Sequence, residues 1–531
     1  MEARALRTDE LPEGEARRVE IEGRAVLLVR VSGEIHALPA RCPHYHGPLA
    51  KGALHGTRLV CPWHQATFDV RSGDLLEPPS FFGLPKYAVR VADGAVWVDL
   101  PDDAPTQRSL PMSACDAGKE PRVVAVIGGG AAAAAAVETL RQEGFAGRIV
   151  MLNAEDRPPY DRPNCSKDLL AGTMPATWMP LRSPRFYEKW GVELRHARVS
   201  RVHAPSRAVT LSDGQSLVPD ALLIASGGVP RRPTAKGADL PGVFTLRSWD
   251  DCEAIVASLT AEARPAAAAA VIGGSFIGLE TAAALTQRGV RITVIAPDTV
   301  PLRRVFGEHV GAALRALHER NGVSFRLGRT VASFAGTDRV ASVELDDGST
   351  VPTDIVVAGI GVTPATGFVE GVRLNPDGGI EVDEQLRVTG AEGVWAAGDV
   401  AHFPAAHLGG ERVRIEHWRL ALQHGRAAAR SVVGHGAAFA GVPFFWTQQY
   451  DVRLGFVGYA RPWDELIVAG DPASFEFLTF YAAGGRVHAA AGTRDQQLAA
   501  FAELMRADAL PSVDRLRANP DLDLTAQLQA L

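Results

Sequence analysis

The 531-residue sequence predicts a multidomain chain with an all-β N-terminal domain, a long α/β region and a C-terminal α+β domain. Residues 1–101 alternate apolar and polar positions in short runs, without a long amphipathic helix. From residue 122 to about 435, apolar strands alternate with alanine-rich helical stretches, the pattern of a parallel sheet covered by helices. Residues 441–531 contain aromatic strands followed by a helix. A chain of this length is expected to bury several separate cores.

The N-terminal domain is predicted from two hairpin patterns. The first, VEIEGRAVLLVRVSGEIHALPA, turns at Ser-Gly-Glu, and the second, KYAVRVADGAVWVDL, turns at Asp-Gly. Two short clusters of cysteine and histidine lie between these hairpins and are therefore expected on loops. The first contains Cys42 and His44, and the second contains Cys61 and His64, with sixteen residues between His44 and Cys61.

This spacing resembles that of a Rieske [2Fe–2S] centre, in which two thiolates bind one iron and two imidazoles bind the other. A structural zinc site is the alternative, since Zn²⁺ accepts the same four ligands. Zinc fingers place their histidine pair on a helix, whereas here each loop carries one cysteine and one histidine among strands. We therefore expect a [2Fe–2S] cluster at Cys42, His44, Cys61 and His64.

The second loop also indicates the reduction potential of such a cluster. High-potential Rieske proteins resemble C-P-C-H-G-S-x-Y here, whereas this chain has Trp63, Ala66 and Phe68 in place of the second Cys, the Ser and the Tyr. Hydrogen bonds to the sulfurs raise the potential, and these hydroxyls are missing. We expect a low-potential cluster without a loop disulfide, with a midpoint near the bottom of the about −150 to +300 mV Rieske range.

The first nucleotide-binding pattern follows a linker predicted at residues 102–121. The strand VVAVI leads into Gly128-Gly129-Gly130-Ala131-Ala132-Ala133, a G-x-G-x-x-A turn that opens a helix. Gly128 permits the turn, Gly130 lets a pyrophosphate approach, and Ala133 keeps helix and strand close. Glu155, after the next strand, is the candidate for the ribose hydroxyls. A low-complexity alanine helix is the alternative.

The second nucleotide-binding pattern has Gly273, Ser275 and Gly278 after the strand AVI, with serine at the middle glycine position. Its second strand ends at Ala296, where NAD sites commonly have an acid. Asp298 could substitute for that acid, or Arg303 and Arg304 could bind a 2′-phosphate. The choice of coenzyme between NADH and NADPH stays open, with NADH favoured.

Two such patterns in tandem, followed by Trp395-Ala396-Ala397-Gly398-Asp399, resemble the two-dinucleotide-binding (Rossmann-like) flavoprotein reductases. The run from Pro159 to Lys167, PYDRPNCSK, resembles the P-Y-x-R-P-x-L-S-K run of oxygenase-coupled ferredoxin reductases and apoptosis-inducing factors, with Cys165 in place of leucine. With the N-terminal domain, the resemblance is closest to Rieske-containing apoptosis-inducing-factor-like proteins. It implies an FAD-binding domain at 122–249 and 363–435, an NAD(P)-binding domain at 250–362 and a reductase C-terminal domain at 441–531.

The resemblance also implies cofactor ligands and reacting residues. It places Lys167 at the flavin N5 and pairs it with Glu280, and both are the candidate catalytic residues; an ordinary surface ion pair is the alternative. Because Cys165 is the only cysteine in its stretch, thiol–disulfide chemistry at the flavin is not expected. The FAD candidates are Gly128, Gly130, Ala133, Glu155, Arg162, Lys167, Gly398, Asp399, Glu416, His417, Trp418 and Trp446. The NAD(P) candidates are Gly273, Ser275, Gly278, Glu280 and Gly361.

The implied function is an NAD(P)H-dependent reductase that passes electrons through FAD to the cluster and on to an electron-acceptor protein or oxygenase. An NADH- or redox-sensing interaction protein is the second hypothesis, and a small-molecule reductase, for example of nitrite, is a third. A net charge of −6 without a basic stripe argues against nucleic acid. The sequence has no signal-like start or membrane-length apolar run, so a cytoplasmic protein is expected, and a homodimer is left open.

Overall fold

The computed structural model describes residues 2–260, 266–460 and 462–531. It confirms the predicted order of an all-β part, an α/β part and a C-terminal α+β part. Residues 2–99 form small antiparallel sheets in the orders β1-β10-β9, β2-β3-β4 and β5-β6-β7-β8. These strands are β1 (Glu2–Arg7), β2 (Ala16–Ile21), β3 (Arg24–Val31), β4 (Glu34–Pro39), β5 (Ala53–His55), β6 (Arg58–Val60), β7 (Thr67–Asp69), β8 (Leu75–Glu77), β9 (Ala88–Ala92) and β10 (Ala95–Asp99).

The Asp-Gly hairpin lies where the sequence predicts it, between β9 and β10. Asp93 and Gly94 have φ angles of 52° and 71°, which is the left-handed conformation that both central residues of a type I′ turn require. The turn therefore sets the register of the hairpin, in which Ala92 pairs with Ala95.

The first α/β unit has a parallel sheet in the order β13-β12-β11-β17-β30. Its elements are β11 (Val123–Ile127), α1 (Ala131–Gln142), β12 (Arg148–Asn153), α2 (Asp168–Ala171), α3 (Pro184–Lys189), β13 (Val192–His196), β14 (Val199–His203), β15 (Ala208–Leu211), β16 (Ser216–Leu217), β17 (Ala221–Ile224) and β18 (Gly228–Pro230).

The second unit is inserted after β18 and has the parallel order β19-β26-β20-β21-β22. Since β19 belongs to this sheet, the sheet begins before residue 250. The elements are β19 (Val243–Thr245), α4 (Trp249–Leu259), β20 (Ala268–Ile272), α5 (Phe276–Gln287), β21 (Arg291–Ala296), α6 (Arg303–Phe306), α7 (Glu308–Arg320), β22 (Ser324–Leu327), β23 (Val331–Gly336), β24 (Val340–Leu345), β25 (Thr350–Pro352), β26 (Ile355–Ala358) and β27 (Val362–Pro364).

The chain returns to the first unit through β27, which pairs antiparallel with β18. These paired strands form the double connection between the two units, so the second unit is an insertion into the first, as the motif order implies. The returning elements are β28 (Val369–Glu370), β29 (Ile380–Glu381), β30 (Val394–Ala396), β31 (Ala401–Ala405), β32 (Glu411–Val413) and α8 (Trp418–Val432).

The alanine run of α1 is a packing feature. Ala131 to Ala136 are all buried, and a Cβ on Gly425 of α8 would lie 2.1 Å from the carbonyl oxygen of Ala132. Small residues on both helices let their backbones approach closely beneath the first sheet. The alanines of this stretch therefore have a packing role in the core.

The C-terminal part has an antiparallel sheet in the order β33-β34-β37-β36-β35. Its core includes Ala53 and Val60 from the N-terminal part, so these two parts share buried surface. The elements are β33 (Phe444–Gln449), β34 (Val452–Gly458), β35 (Glu465–Asp471), β36 (Glu476–Ala483), β37 (Arg486–Gly492), α9 (Asp495–Arg506), α10 (Val513–Ala518) and α11 (Leu524–Gln529).

In residues 2–260, 266–460 and 462–531, no helix combines the length and apolar character that crossing a membrane requires.

Candidate functional site

The two cysteine–histidine loops share one backbone geometry. In each loop the cysteine N–H donates to the carbonyl five residues on, at 2.9 Å for Cys42 and 2.8 Å for Cys61. Each cysteine carbonyl also accepts from the N–H four residues on, contributed by His46 and Gln65. These two residues have φ angles of 59° and 58°. The matching turns present the side chains of both loops to a common point.

The four predicted ligands come together there as two pairs. The thiols of Cys42 and Cys61 hydrogen-bond each other, and burial raises the pKa of Cys42. The Nδ1 atoms of His44 and His64 are 3.2 Å apart. Burial lowers the pKa of His44 to about 3, so its imidazole is neutral and its lone pair is available for a metal.

This donor set fits a two-iron cluster. In the described part of the chain, no three Cys, His, Asp or Glu side chains converge as they would around one metal ion. A thiol pair beside an imidazole pair instead suits two metal atoms with two protein ligands each. The backbone N–H groups of residues 44 and 45 aim at the Cys42 sulfur, and those of residues 63 and 64 aim at the Cys61 sulfur, which stabilises negative charge on both.

The first nucleotide turn has the shape that a pyrophosphate needs. Gly128 has φ 122°, and a Cβ on it would lie 2.2 Å from the Ala225 carbonyl oxygen. A Cβ on Gly130 would meet no described atom within 4 Å, so open space adjoins the N-terminus of α1. Ala133 is fully buried against the core. The turn therefore leaves room for a phosphate group at the positive end of the helix.

The acid predicted to bind the ribose lies at the edge of this turn. Glu155 accepts hydrogen bonds from the Tyr160 hydroxyl and, at 2.6 Å, from Arg162. Its side chain is 26% exposed, so it can still be reached from the open side. Glu155 and Arg162, both FAD candidates, are thus neighbours.

The second group of FAD candidates lies in the segment that returns from the second α/β unit to the first. Gly398 has φ 76°, and its N–H lies 3.3 Å from Nδ1 of buried His424. Asp399 accepts a 2.7 Å bond from Arg247. Glu416 accepts a hydrogen bond from Arg414. The His417 ring lies 4.4 Å from the ring of Phe445, and Trp418 is the first residue of α8.

The second nucleotide turn contains the serine at its middle position. The Ser275 hydroxyl accepts from the Gly278 N–H at 3.2 Å and donates to the Gly359 carbonyl at 2.6 Å, so it caps α5 and ties the turn to the neighbouring loop. Gly273 has φ 107°, and Gly361 has φ 97° with open space where a Cβ would point. The substitution of serine for glycine thus adds a helix cap.

The predicted catalytic pair is a buried ion pair. Lys167 Nζ lies 2.8 Å from Glu280 Oε2, and their side chains are 12% and 4% exposed. The surface-pair alternative is therefore wrong. Ser166 donates to the same oxygen at 2.6 Å, and Thr447 of β33 donates to the other oxygen at 2.7 Å.

The cluster loops lie directly on the PYDRPNCSK run. The Tyr45 hydroxyl donates to Asp161 at 2.8 Å and accepts from the Asn164 amide at 2.8 Å. The His64 ring lies 4.3 Å from the ring of Trp446, another FAD candidate. The histidine edge of the cluster site therefore faces the predicted flavin site.

Sequence reasoning missed the residues that join these parts. The motifs assign no role to Tyr45, Arg247 or Thr447, because each contacts a partner that is distant in sequence. Tyr45 lies inside the first cluster loop and Thr447 lies three residues after Phe444, so only the tertiary contacts reveal their place.

Comparisons with known proteins cover nearly the whole chain. Residues 122–425 match the model of the pyridine nucleotide-disulphide oxidoreductases, residues 2–88 match the Rieske [2Fe-2S] domain, and residues 444–528 match the reductase C-terminal domain. These matches settle the metal question in favour of the two-iron cluster over zinc.

Individual relatives agree with these matches. The human protein apoptosis-inducing factor 3 is 36% identical over 501 residues, which cover 92% of this chain and 81% of that protein. The ferredoxin–NAD(+) reductase component of the anthranilate 1,2-dioxygenase system of Burkholderia cepacia is 36% identical over 408 residues, covering 75% and 97% of the two chains. Among solved structures, the putidaredoxin reductase–putidaredoxin complex matches with a TM-score of 0.71 at 30% identity, covering 77% and 98%.

Together the fold, the motifs and these relatives identify an NAD(P)H-dependent oxidoreductase that uses FAD and a Rieske [2Fe–2S] cluster. The chain belongs to the pyridine nucleotide-disulphide oxidoreductase family and carries the N-terminal Rieske domain and the reductase C-terminal domain of the apoptosis-inducing-factor-like and ferredoxin-reductase members.

Proposed function

We propose that the N-terminal domain serves as a built-in ferredoxin, which receives electrons at its histidine edge and delivers them to an external acceptor protein. When bound, FAD supplies hydride acceptance and single-electron release, and the cluster carries one electron at a time. The observation that carries the proposal is the 4.3 Å contact between the rings of His64 and Trp446, together with the Tyr45–Asp161 hydrogen bond. A domain fixed at this position needs no diffusional encounter to reach the flavin site.

The test is the order and speed of reduction. We expect anaerobic mixing with NADH to give flavin reduction followed by cluster reduction within one chain, at a rate independent of protein concentration. Rapid steady-state NADH oxidation with cytochrome c or ferricyanide is also expected. A rate that rises with protein concentration would exclude internal transfer. Slow reduction with a long-lived charge-transfer complex and a change in oligomeric state would favour the sensing hypothesis.

The relatives suggest the class of acceptor. Several are named as ferredoxin reductase components of oxygenase systems, including the 5,5'-dehydrodivanillate O-demethylase of a Sphingobium strain. We infer by this likeness that an oxygenase or another redox protein takes electrons from the cluster of this chain.

We propose NADH as the preferred coenzyme. Arg303 pairs with Glu308 at 2.7 Å and Arg304 with Asp298 at 3.5 Å, so both guanidinium groups that could bind a 2′-phosphate have carboxylate partners. We expect kcat/KM to be higher for NADH than for NADPH, with the difference mainly in KM. A higher kcat/KM for NADPH would overturn the preference.

Lys167 and Glu280 are proposed to orient the reacting groups rather than to exchange protons in hydride transfer. Hydride transfer to a flavin depends on stacking and orientation, and the buried pair fixes the lysine ammonium through Glu280 and through the Pro163 carbonyl at 3.3 Å.

Replacing Lys167 by alanine should therefore slow flavin reduction by about 100-fold, the effect of a small misplacement of reacting groups, while FAD remains bound. Single-turnover reduction by NADH measures the effect. Lys189→Ala removes an exposed lysine on α3 and should leave the rate unchanged. A wild-type rate for Lys167→Ala with full FAD content would remove Lys167 from the proposed role.

A further inference from the structure

A continuous line of buried polar side chains leads away from Glu280. From Glu280 Oε1 it passes to Thr447 at 2.7 Å, from Thr447 to Gln449 at 3.2 Å, and from Gln449 Oε1 to His318 Nε2 at 2.9 Å. It ends where the Tyr450 hydroxyl lies 3.3 Å from His318 Nδ1. The line joins α5 and α7 of the second α/β unit to β33 of the C-terminal part.

These side chains are enclosed. Thr447 and Gln449 are each 1% exposed and His318 is fully buried, whereas Tyr450 is only half-buried at the outer end. Buried polar groups without partners are costly, and here each one finds its partner within the line. Such a fully satisfied network has one preferred arrangement.

The hydrogen bonds of the network all point towards Glu280. Burial lowers the pKa of His318 to about 4, so its ring is neutral and one nitrogen donates while the other accepts. Gln449 Oε1 can only accept, which makes Nε2–H the donor of His318 and leaves Nδ1 to accept from Tyr450. The Gln449 amide then donates to Thr447, and the Thr447 hydroxyl donates to Glu280.

The carboxylate of Glu280 thus receives donors on both oxygens. Lys167 and Ser166 donate to Oε2, and Thr447 donates to Oε1. A carboxylate held from both sides cannot rotate, so the position of the Lys167 ammonium depends on Thr447 although the two do not touch.

We propose that Thr447, oriented by Gln449 and His318, is a positioning residue for the Lys167–Glu280 pair, through which the C-terminal domain controls flavin reduction. The inference rests on the proposed role of Lys167 and Glu280. It makes the C-terminal domain part of the reductase's reaction as well as part of its packing.

The principal test replaces Thr447 by valine, which keeps the shape and removes the hydroxyl. We expect single-turnover flavin reduction to slow by about 10- to 100-fold, the effect of losing one hydrogen bond to a charged group, with KM for NADH unchanged. Thr447→Ser restores the hydroxyl and should recover most of the rate. Thr479→Val is the matched control, because Thr479 is 1% exposed in the same sheet and its hydroxyl has no hydrogen-bond partner among the described residues.

The double variant Lys167→Ala/Thr447→Val separates positioning from packing. If Thr447 acts through the pair, the double variant should be no slower than Lys167→Ala alone. If Lys167→Ala slows flavin reduction but Thr447→Val reduces its flavin at the wild-type rate, only the network proposal is overturned. If Lys167→Ala also reduces its flavin at the wild-type rate, the proposed role of the Lys167–Glu280 pair is overturned as well.

A second measurement does not depend on activity. The ¹⁵N chemical shifts of the His318 ring in the wild-type protein, assigned through His318→Asn, should report the neutral tautomer with the proton on Nε2. The proton on Nδ1, or a charged ring at neutral pH, would overturn the proposed direction of the network.

Discussion

Replacing Cys61 by alanine is expected to abolish cluster binding while leaving the flavin half of the protein active. Cys61 supplies one of the two thiols that lie side by side, and no other cysteine is in its loop. Loss of a direct ligand should exceed the about 10- to 100-fold loss of metal affinity that follows when a residue holding a ligand in place is changed. The purified variant should contain FAD, no acid-labile sulfide and almost no iron.

The activities should then separate. NADH–ferricyanide activity, which requires only the flavin, should stay within about twofold of wild type, whereas transfer to cytochrome c should fall by more than about 100-fold. Cys115→Ala changes an exposed cysteine outside both loops and should alter neither activity. Cytochrome c reduction at the wild-type rate by a cluster-free Cys61→Ala protein would show that electrons leave from the flavin and would refute the proposed exit through the N-terminal domain.

The sequence predicts the cofactor-binding motifs of this protein well, because the residues of each motif lie close together in the chain. Cys42 and His44 lie two residues apart on one turn, and Gly128, Gly130 and Ala133 lie on another. Both patterns carry their geometry with them, since a tight turn fixes where each side chain points. The order of the α/β units follows in the same way from the positions of the two glycine-rich turns.

The contacts between the parts could not be predicted, because they join residues that are far apart in sequence. Tyr45 meets Asp161 across 116 positions and Thr447 meets Glu280 across 167. A threonine in a strand or a tyrosine in a loop has no local pattern that names its partner. The sequence therefore indicates which cofactors the chain uses, whereas the position of the predicted cluster ligands beside the predicted flavin site depends on the domain interfaces.

Arg419 joins the N-terminal domain to α8 and to the segment before β33. It lies at the start of α8, is 4% exposed, and donates to three backbone carbonyls from different segments. Two belong to the N-terminal domain, Pro78 at 2.9 Å and Gln65 at 3.0 Å, and the third is Val442 at 3.1 Å, just before β33. Burial lowers its pKa to about 10, so the guanidinium remains charged at neutral pH.

Because Gln65 directly follows the predicted ligand His64, the first consequence of losing Arg419 should be release of this loop from the predicted flavin site. Replacement by methionine keeps most of the volume and removes the donor of the Pro78 and Val442 carbonyls, while the Gln65 carbonyl keeps a 3.2 Å bond from the Thr67 hydroxyl. At about 1–3 kcal/mol for each of the two orphaned buried groups, we expect Arg419→Met to weaken the interface by about 2 kcal/mol or more. The N-terminal domain should then melt in a separate, earlier calorimetric transition.

The activities of this variant should distinguish undocking of the N-terminal domain from loss of a cofactor. We expect Arg419→Met to retain FAD and iron, and to reduce the flavin normally, but to transfer electrons to the cluster more than about tenfold more slowly, since a 1 Å misplacement alone can cost about 100-fold. Arg430→Met, on the same helix, removes a 43% exposed arginine that pairs with Glu143 and should cost no more than about 1 kcal/mol. If Arg419→Met melts in one transition and reduces its cluster as fast as the wild type, the docking of the N-terminal domain does not depend on this arginine, and its other contacts, including the Tyr45–Asp161 bond and the Arg58–Glu503 ion pair, suffice to hold it.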